Sequence, residues 1–370
     1  MKHYPYIDVS RIEDLPSPSV GTKLVVHYAF QYIDFNLVPE YAEQVNFVDC
    51  VFMGCDLIPG MEERLGANLI LPRMGMIYHV FNNSLYHAES LYEGFDPARP
   101  ETFSSCFDSR VYADYLERGK KSADLRVTIA RSLHDHSMSD ALQDFLSRYN
   151  AHDVVGIMGG HFLKRTDERY RQVVMTSKVL TEKGKLMVSG GGPGAMEATH
   201  LGAWMAGRTK EETEDAIAML ASAPSYQDPG WLSTAFHVRK KYSQTRFRSL
   251  GIPTWLYGHE PATPFATHIA KFFENSIRED SILSIAQGGI IFFPGSAGTL
   301  QEVFQDAAQN HYLTCGVASP MVFVGKDFYT REVPVYPLLQ SFVEQGYYKN
   351  LLLSITDSAK EAIESILSFA

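Results

Sequence analysis

Two glycine-rich segments and one glutamate carry the recognisable chemistry of this sequence. The first segment, GGGPGAMEA, covers residues 190–198, and the second, PGSAGTLQE, covers residues 294–302 and ends at Glu302. Each follows a short apolar run and precedes a stretch with helical periodicity, which is typical of a strand-to-helix junction. Glycine lets the backbone approach a ligand closely, and the first N–H groups of a helix have no partner inside it. These features predict two cradles for a small anion such as a phosphate.

Neither segment fits the best-known phosphate loops. The glycines run GGGPG at 190–194 rather than GxGxxG, and Ala195 and Thr299 stand where a Walker A loop needs lysine. The second segment misses the nucleophile elbow GxSxG by one position. The sequence therefore disfavours NAD and ATP as ligands. One such loop could equally well be a tight turn, but two of them favour binding.

Glu302 and Arg278 each have two interpretations at this stage. Thr299 and Glu302 form the S/T-x-x-E pattern of a capping box, in which the glutamate bonds a backbone N–H. Alternatively, the carboxylate acts on a part of the ligand away from the phosphate, such as C1′ of a sugar. Arg278, taken alone, is accounted for by an ion pair with Glu274 one helical turn earlier.

From about residue 153 onward, apolar runs alternate with stretches of helical periodicity, and these elements must position the residues named above. This pattern predicts α/β architecture: a Rossmann-like, doubly wound parallel sheet with helices on its faces. The predicted strands are VVGIM (154–158), KLMVS (185–189), IPTWLY (252–257), IIFF (290–293), MVFVG (321–325) and LLLSI (351–355). The predicted helices cover 168–183, 195–207, 264–286, 299–311, 335–346 and 358–369. Both glycine segments then lie at carboxyl ends of strands, where such sheets bind ligands.

The chain before this point has a different pattern. We predict two domains, an additional N-terminal α+β region of unknown role at 1–150 and a Rossmann-like domain at 151–370 that contains both glycine segments. The first region is rich in aromatic residues and prolines and shows no repeat. KLVVHYAF (23–30) and GANLILPRMGMIYHVF (66–81) are strand candidates, and SDALQDFLSRYN (139–150) is a predicted helix.

Composition narrows the functional classes. The 370 residues are 45% hydrophobic and 21% charged, with a net charge of −10, which disfavours non-specific binding to a nucleic acid polymer. Apolar runs stay below the roughly 18 residues of a membrane span, so we expect no membrane partner and no export. The four cysteines lack the paired spacing of a zinc site or a disulfide framework. A cytoplasmic protein without a metal or cofactor is the expectation.

The two segments in this order, with Arg278 between them, resemble the motifs GGGxxGxM and PGGxGTxxE of the LOG family. That family comprises cytokinin-activating phosphoribohydrolases, some of which carry the older name lysine decarboxylase. The GPGAMEA loop and the extra N-terminal region are most similar to the larger bacterial pyrimidine/purine nucleotide 5′-monophosphate nucleosidases. The resemblance covers residues 150–370.

The resemblance implies hydrolysis of the N-glycosidic bond of nucleoside 5′-monophosphates, giving free base and ribose 5-phosphate, in a homodimer or larger homo-oligomer. It implies that 151–370 is a nucleotide-binding catalytic domain and that Glu302 and Arg278 are catalytic. By the same matching, the substrate-binding residues are Gly159, Gly160, Gly191, Gly192, Gly194, Met196, Gly295, Ser296, Gly298 and Thr299. The alternative is a non-catalytic nucleotide sensor or carrier, which would need neither catalytic residue. A pyridoxal-phosphate decarboxylase is disfavoured because no lysine lies near either glycine segment.

The sequence departs from the family pattern in three respects. Ser296 replaces the second glycine of PGG, and Arg278 is one residue farther from Pro294 and is followed by Glu279 rather than lysine. Residues 1–150 match no part of the pattern. His161 and Arg165, just after the first predicted strand, are weaker candidates for ligand contact. The preferred base is not specified by any of these residues.

Overall fold

The computed structural model describes residues 6–17 and 23–369 of the chain. Its internal contacts divide the chain into two units, and each is described by itself. One unit comprises Met1–Ser84 and Lys121–Ala141, and the other comprises Leu85–Lys120 and Leu142–Ala370. Both glycine segments belong to the second unit.

The elements follow one another along the chain as strands and helices of unequal length. The strands are β1 (Ile7–Val9), β2 (Leu24–Val26), β3 (Tyr28–Gln31), β4 (Asn46–Val48), β5 (Val51–Met53), β6 (Leu69–Leu71), β7 (Val154–Met158), β8 (Leu186–Ser189), β9 (Ser249–Gly251), β10 (His268–Ile269), β11 (Ile290–Phe292), β12 (Pro320–Val324) and β13 (Leu352–Thr356). The helices are α1 (Pro39–Gln44), α2 (Met61–Leu65), α3 (Ala88–Leu91), α4 (Phe107–Glu117), α5 (Leu125–Leu146), α6 (Glu168–Glu182), α7 (Ala195–Trp204), α8 (Lys210–Leu220), α9 (Trp231–Lys241), α10 (Asn275–Ile285), α11 (Ala297–Tyr312), α12 (Val335–Glu344) and α13 (Ala359–Leu367).

A seven-stranded parallel sheet organises the second unit. Its order is β10-β9-β8-β7-β11-β12-β13. Strands β8, β9 and β10 follow β7 on one side of the sheet. The chain then returns, and β11, β12 and β13 follow on the other side of β7. The predicted α/β, Rossmann-like doubly wound sheet is confirmed. The change of direction between β7 and β11 opens a crevice at the carboxyl ends of the strands, where folds of this kind bind ligands.

The core of this unit follows from the composition of its strands. All five residues of β7 are buried, as are all five of β12, which is the pattern expected when helices cover both faces of a parallel sheet. Strand β11 pairs with β7 on one side and with β12 on the other, where Ile290 is opposite Gly156 and Met321, respectively. The two strands that border the crevice are thus fixed in the middle of the sheet.

Two predicted elements of the second unit are wrong. IPTWLY (252–257) is not a strand, because β9 ends at Gly251 and Trp255–Tyr257 is a 3-10 helix. The predicted helix 264–286 is confined to α10, since His268–Ile269 adds β10 at the edge of the sheet. Trp255, Phe265, Phe272 and Phe273 are buried although none of them lies in a strand, and an apolar run alone does not distinguish a buried loop from a buried strand.

The first unit contains parallel strands of three or four residues. They form one sheet of order β1-β3-β5-β6 and a second that pairs β2 with β4. Asp8 pairs with Ala29, Ala29 with Val51, and Val51 with Leu69, at intervals of about 20 residues, the length of one coil in a parallel solenoid. The sequence shows no repeat in this region, so the similar spacing of the strands is a property of the fold.

Stacked aromatic side chains fill the first unit. Phe30 and Phe52, on neighbouring strands, lie with ring centroids 5.0 Å apart, and Phe47 meets both rings edge-on. Phe35 completes this cluster. The aromatic richness noted in the sequence thus supplies the core that such short strands need. Across the described residues of both units, no helix is long and apolar enough to cross a membrane.

Candidate functional site

The first glycine segment forms the turn between β8 and α7 and is buried. Ser189, the last residue of β8, anchors it: its hydroxyl accepts a bond from the N–H of Gly191 and lies 2.9 Å from Nε2 of His200. Nδ1 of His200 lies 3.0 Å from the hydroxyl of Ser249 on β9. Burial lowers the pKa of His200 to about 3, so the imidazole is neutral at physiological pH. A neutral, uncharged network therefore fixes the backbone of this turn.

Gly160 connects the first glycine segment to the second. Its N–H donates to the carbonyl of Pro294 at 3.2 Å, and its carbonyl accepts from the N–H of Ala195 at 3.1 Å. Gly194 has a φ of +70°, and a Cβ there would overlap the Gly160 carbonyl oxygen. The turns after β7, β8 and β11 thus meet at Gly160. The two segments, separated by about 100 residues in sequence, lie at one edge of the sheet, as the parallel topology requires.

The second glycine segment is more exposed and leads into α11. Ser296, Ala297 and Gly298 are exposed, whereas Thr299 is buried with its hydroxyl against Gly295. Helix α11 begins at Ala297 with Ser296 as its N-cap, and no side chain caps it. Helix α7 likewise begins after Gly194 without a side-chain cap. Open helix N-termini of this kind favour an anion.

The capping box predicted as one interpretation of Glu302 is absent. Because α11 begins before Thr299, this threonine is inside the first turn rather than at the N-cap. Glu302 lies in the second turn, and within the described residues its carboxylate has no hydrogen bond to a backbone N–H. The carboxylate is therefore not occupied in stabilising the start of the helix.

Arg278 reaches from α10 to the first glycine segment. Its Nε donates to the carbonyl of Ile252 at 3.0 Å, and its Nη2 lies against Gly190, where a Cβ would overlap it. The side chain is only 11% exposed. The alternative interpretation is a surface ion pair with Glu274 on one face of the helix. It does not fit a side chain that is this buried.

Glu302 is electrostatically linked to Arg278. Burial raises the pKa of Glu302 to about 7, while the positive charge of Arg278 lowers it and the negative charge of Glu279 raises it further. Tyr329, whose hydroxyl donates to the Phe293 carbonyl at 2.8 Å, has its pKa raised by burial and by the charge of Glu302. Glu302 can thus gain or lose a proton near neutral pH, which is the property required of a general base.

The remaining predicted binding residues have clear packing roles. A Cβ at Gly159 would lie 2.9 Å from Cβ of Ala195, and one at Gly191 would lie 2.9 Å from Cδ of Pro253. Gly192 has Met196 on one side and Glu260 on the other. These glycines allow close approach of the turns to one another. Direct ligand contact at Gly159, Gly191, Gly192 and Met196 stays a prediction.

Arg165, a weaker candidate for ligand contact, is instead a buried structural residue. It is 1% exposed and binds the carboxylate of Glu197 in α7 through Nε and Nη2. Tyr170 donates to the same carboxylate at 2.9 Å, and the guanidinium lies 4.6 Å from the ring of Trp231. Glu197, the glutamate of GGGPGAMEA, therefore fixes α7 behind the glycine segment rather than facing a ligand.

His161 remains beside the site, with a partner that the sequence did not indicate. Its Nε2 lies 3.7 Å from Oε1 of Glu260. Glu260 Oε2 in turn lies 3.7 Å from the position of a Cβ on Gly192. No motif marks Glu260, because its proximity depends on how the loop after β9 folds back over the first segment.

Comparisons with known proteins identify no family for this chain. No protein-family model matches it, and no curated protein does. Among solved structures, it is similar to the molybdenum cofactor binding protein from the phototrophic bacterium Rippkaea orientalis, at 16% identity over 58% of this chain and 95% of that one, with a TM-score of 0.37. It is also similar to the structural-genomics target TM1055, at 16% identity over 58% of this chain and 98% of that one, with a TM-score of 0.39. The Moco carrier protein from Chlamydomonas reinhardtii matches at 15% identity over 58% of this chain and 97% of that one, with a TM-score of 0.35.

Proposed function

We propose that this chain hydrolyses the N-glycosidic bond of nucleoside 5′-monophosphates, releasing the base and ribose 5-phosphate. One observation carries the proposal. The partly buried carboxylate of Glu302, which does not cap its helix, is linked electrostatically to Arg278, and the guanidinium of Arg278 lies against the first glycine segment. A simple phosphate-binding turn requires neither group. Their placement beside two anion cradles supports chemistry on a phosphorylated ligand.

The glycine segments hold the 5′-phosphate in this proposal. No side chain caps α7 or α11, so their first turns supply N–H donors, apart from the N–H of Ala195 that is bonded to Gly160, and the positive ends of two helix dipoles. Gly160 fixes the distance between the two turns through its bonds to Pro294 and Ala195. A phosphate held at both turns positions the attached sugar and reduces the entropy that the reaction must otherwise lose.

Glu302 acts in its ionised form. The bond from C1′ to the base nitrogen breaks with its electron pair moving to the base, and the sugar develops positive charge. The carboxylate stabilises this charge and accepts a proton from the water whose oxygen forms the new bond to C1′. That proton then passes to the base nitrogen, so the base leaves neutral and Glu302 is ionised again. Arg278 favours the ionised form of Glu302, since its charge lowers the pKa of that carboxyl.

The direct test is product analysis. Wild-type protein incubated with AMP, GMP, CMP and UMP should release free base, measured by chromatography. Glu302→Gln should lower this rate by at least about 100-fold, the usual cost of removing a charge-stabilising group. The variant should still be stabilised thermally by AMP, because its phosphate cradle is intact. Glu364→Gln, at an exposed glutamate on α13, is the matched control and should retain full activity.

The same experiment separates the enzyme from the non-catalytic sensor or carrier. A wild-type protein that is stabilised by AMP but releases no base would contradict the hydrolase and support the carrier. Retained base release by Glu302→Gln would reject the assigned role of the carboxylate. A homodimer or larger assembly stays a prediction, to be checked by light scattering coupled to size-exclusion chromatography.

A further inference from the structure

A cavity of about 560 Å³ lies in the unit that contains the glycine segments. Three stretches line it that are distant in sequence. They contribute Phe95, Pro100, Glu101 and Phe103, then Tyr226, Gln227, Asp228, Pro229, Trp231 and Leu232, and finally His259 and Pro261. Its volume suits a small molecule rather than a few waters. No motif in the sequence indicates this cavity, since none joins the three stretches.

The aromatic wall of this cavity is held in place from behind. Phe95 and Phe103 each lie 6.3 Å, between ring centroids, from the buried Tyr92. The hydroxyl of Tyr92 donates to the carbonyl of Ala262, next to the lining residue Pro261. The wall from the stretch before α4 is thereby bonded to the loop after β9. Phe95 and Phe103 are partly exposed and so present apolar ring surface to the cavity.

Neighbouring side chains link the cavity to the phosphate cradle. The ring of Tyr226, which lines the cavity, and the ring of His161, the residue after Gly160, have their centroids 6.4 Å apart. His161 lies 3.7 Å from Glu260, which stands between the lining residues His259 and Pro261. Glu260 in turn approaches Gly192 of the first glycine segment. His161 and Glu260 thus lie between the lining residues of the cavity and the first glycine segment, which makes the cavity and the cradle neighbours.

The charge of the lining distinguishes the cavity from the cradle. Among the lining residues that the structure describes, Glu101 and Asp228 are acidic and none is a lysine or arginine. A phosphate would be repelled there, whereas the helix N-termini at the glycine segments attract one. An uncharged flat ring matches aromatic walls, because heteroaromatic bases stack on aromatic side chains.

We propose that this cavity is the subsite for the flat heteroaromatic ring of a ligand whose phosphate occupies the glycine segments. The ligand class rests on the proposed function, but ring binding does not require that the chain cleave the ligand. Binding is therefore the measured quantity, and turnover is measured separately.

The experiment compares AMP with ribose 5-phosphate, which has the same sugar phosphate and lacks the ring. Binding is measured by calorimetry in the Glu302→Gln protein, so that AMP persists during the titration. Phe103→Ala should raise the Kd for AMP by at least about fivefold, the equivalent of about 1 kcal/mol. Its Kd for ribose 5-phosphate should stay within about twofold of the parent protein, a change of less than about 0.5 kcal/mol.

Two further variants keep the test decisive. Tyr226→Ala, on a different stretch of the lining, should reproduce the effect if Phe103→Ala unfolds the protein. Tyr312→Ala removes an aromatic ring that is 73% exposed and outside the lining, and it should leave both affinities unchanged.

The outcomes separate this inference from the proposed function. Selective loss of AMP binding in the cavity variants supports the subsite even if wild-type protein releases no base. Equal weakening of both ligands, unchanged AMP binding in both cavity variants, or no binding of AMP by the parent protein would overturn the inference.

Discussion

The guanidinium of Arg278 lies against the backbone of Gly190, so closely that a Cβ at position 190 would overlap Nη2. The same side chain donates to the carbonyl of Ile252 and lowers the pKa of Glu302. One cation therefore contacts the first glycine segment and acts on the carboxylate of Glu302, the last residue of the second.

Removing the cation should impair catalysis. We expect Arg278→Ala to lower kcat for base release from AMP by about 100-fold, because a charged group near the reacting centre is lost. Gly190→Ala should lower kcat in the same direction, since the new methyl group would displace the guanidinium. Arg126→Ala, at a side chain that is 82% exposed, is the matched control and should have wild-type kcat. Full activity in Arg278→Ala would show that the contact is structural only.

The activity should depend on pH through Glu302. The ionised form is the active one, so kcat/KM should rise with pH and reach half its maximum near pH 7, the pKa of Glu302. Glu279→Gln removes a charge that raises this pKa, and it should move the midpoint to lower pH. A rate profile recorded from pH 5 to 9 for both proteins provides the measurement. A rate that falls as pH rises through 7, or a midpoint that is unmoved by Glu279→Gln, would contradict the assignment.

The first glycine segment should be intolerant of a side chain at Gly194. This residue has a φ of +70°, and a Cβ would lie 2.6 Å from the carbonyl oxygen of His161. We expect Gly194→Ala to destabilise the protein by about 1–3 kcal/mol through strain. Gly298→Ala is the comparison: no atom lies within 4 Å of its Cβ position, and alanine favours a helix. Thermal unfolding without ligand should show a lower Tm for the first variant only.

Asp306 should make stability depend on pH. It lies one turn after Glu302 in α11 and is 2% exposed, and its Oδ2 has no hydrogen-bond partner among the described residues. Burial raises its pKa to about 8. The unfolded chain loses this proton near pH 4, whereas the folded chain keeps it until about pH 8. The free energy of unfolding contributed by this group therefore falls as pH rises through that window.

Replacing Asp306 with asparagine tests this linkage. The amide cannot ionise, so Asp306→Asn should raise Tm relative to wild type by about 2 °C or more at pH 9, with a smaller difference at pH 5. Asp327→Asn, at a side chain that is 66% exposed, should show no such pH dependence. The same Tm difference at both pH values would mean that the carboxyl is ionised in the folded protein.

Much of the second unit could be predicted from the sequence because its strands are buried on both faces. VVGIM coincides with β7, and IIFF, MVFVG and LLLSI each contain most of an observed strand. In a chain with helical stretches between them, short apolar runs bounded by glycine-rich turns usually form buried parallel strands. Helices α8 and α9 were missed, as was β10, because short segments with mixed polarity carry a weak periodic signal.

The first unit could be predicted less well. The segment 66–81 contributes only β6, Leu69–Leu71, and the helix at 139–150 is the end of the longer α5. Strands of three residues are too short for alternation to be read. Their pairing depends on residues about one coil apart, and no local pattern records that distance.

The sequence by itself determined the α/β class, the two glycine segments at strand-to-helix junctions, and Glu302 and Arg278 as residues of interest. These properties are local, because glycine content, apolar runs and helical spacing act within one turn or strand. The tertiary structure decided the rest. The turns meet at Gly160, and α11 begins too early for Thr299 and Glu302 to form a capping box. Arg165 is buried and binds Glu197. The tertiary structure also assembled an aromatic cavity from three distant stretches. Such relationships follow from the packing of elements far apart in the chain, which residue spacing does not encode.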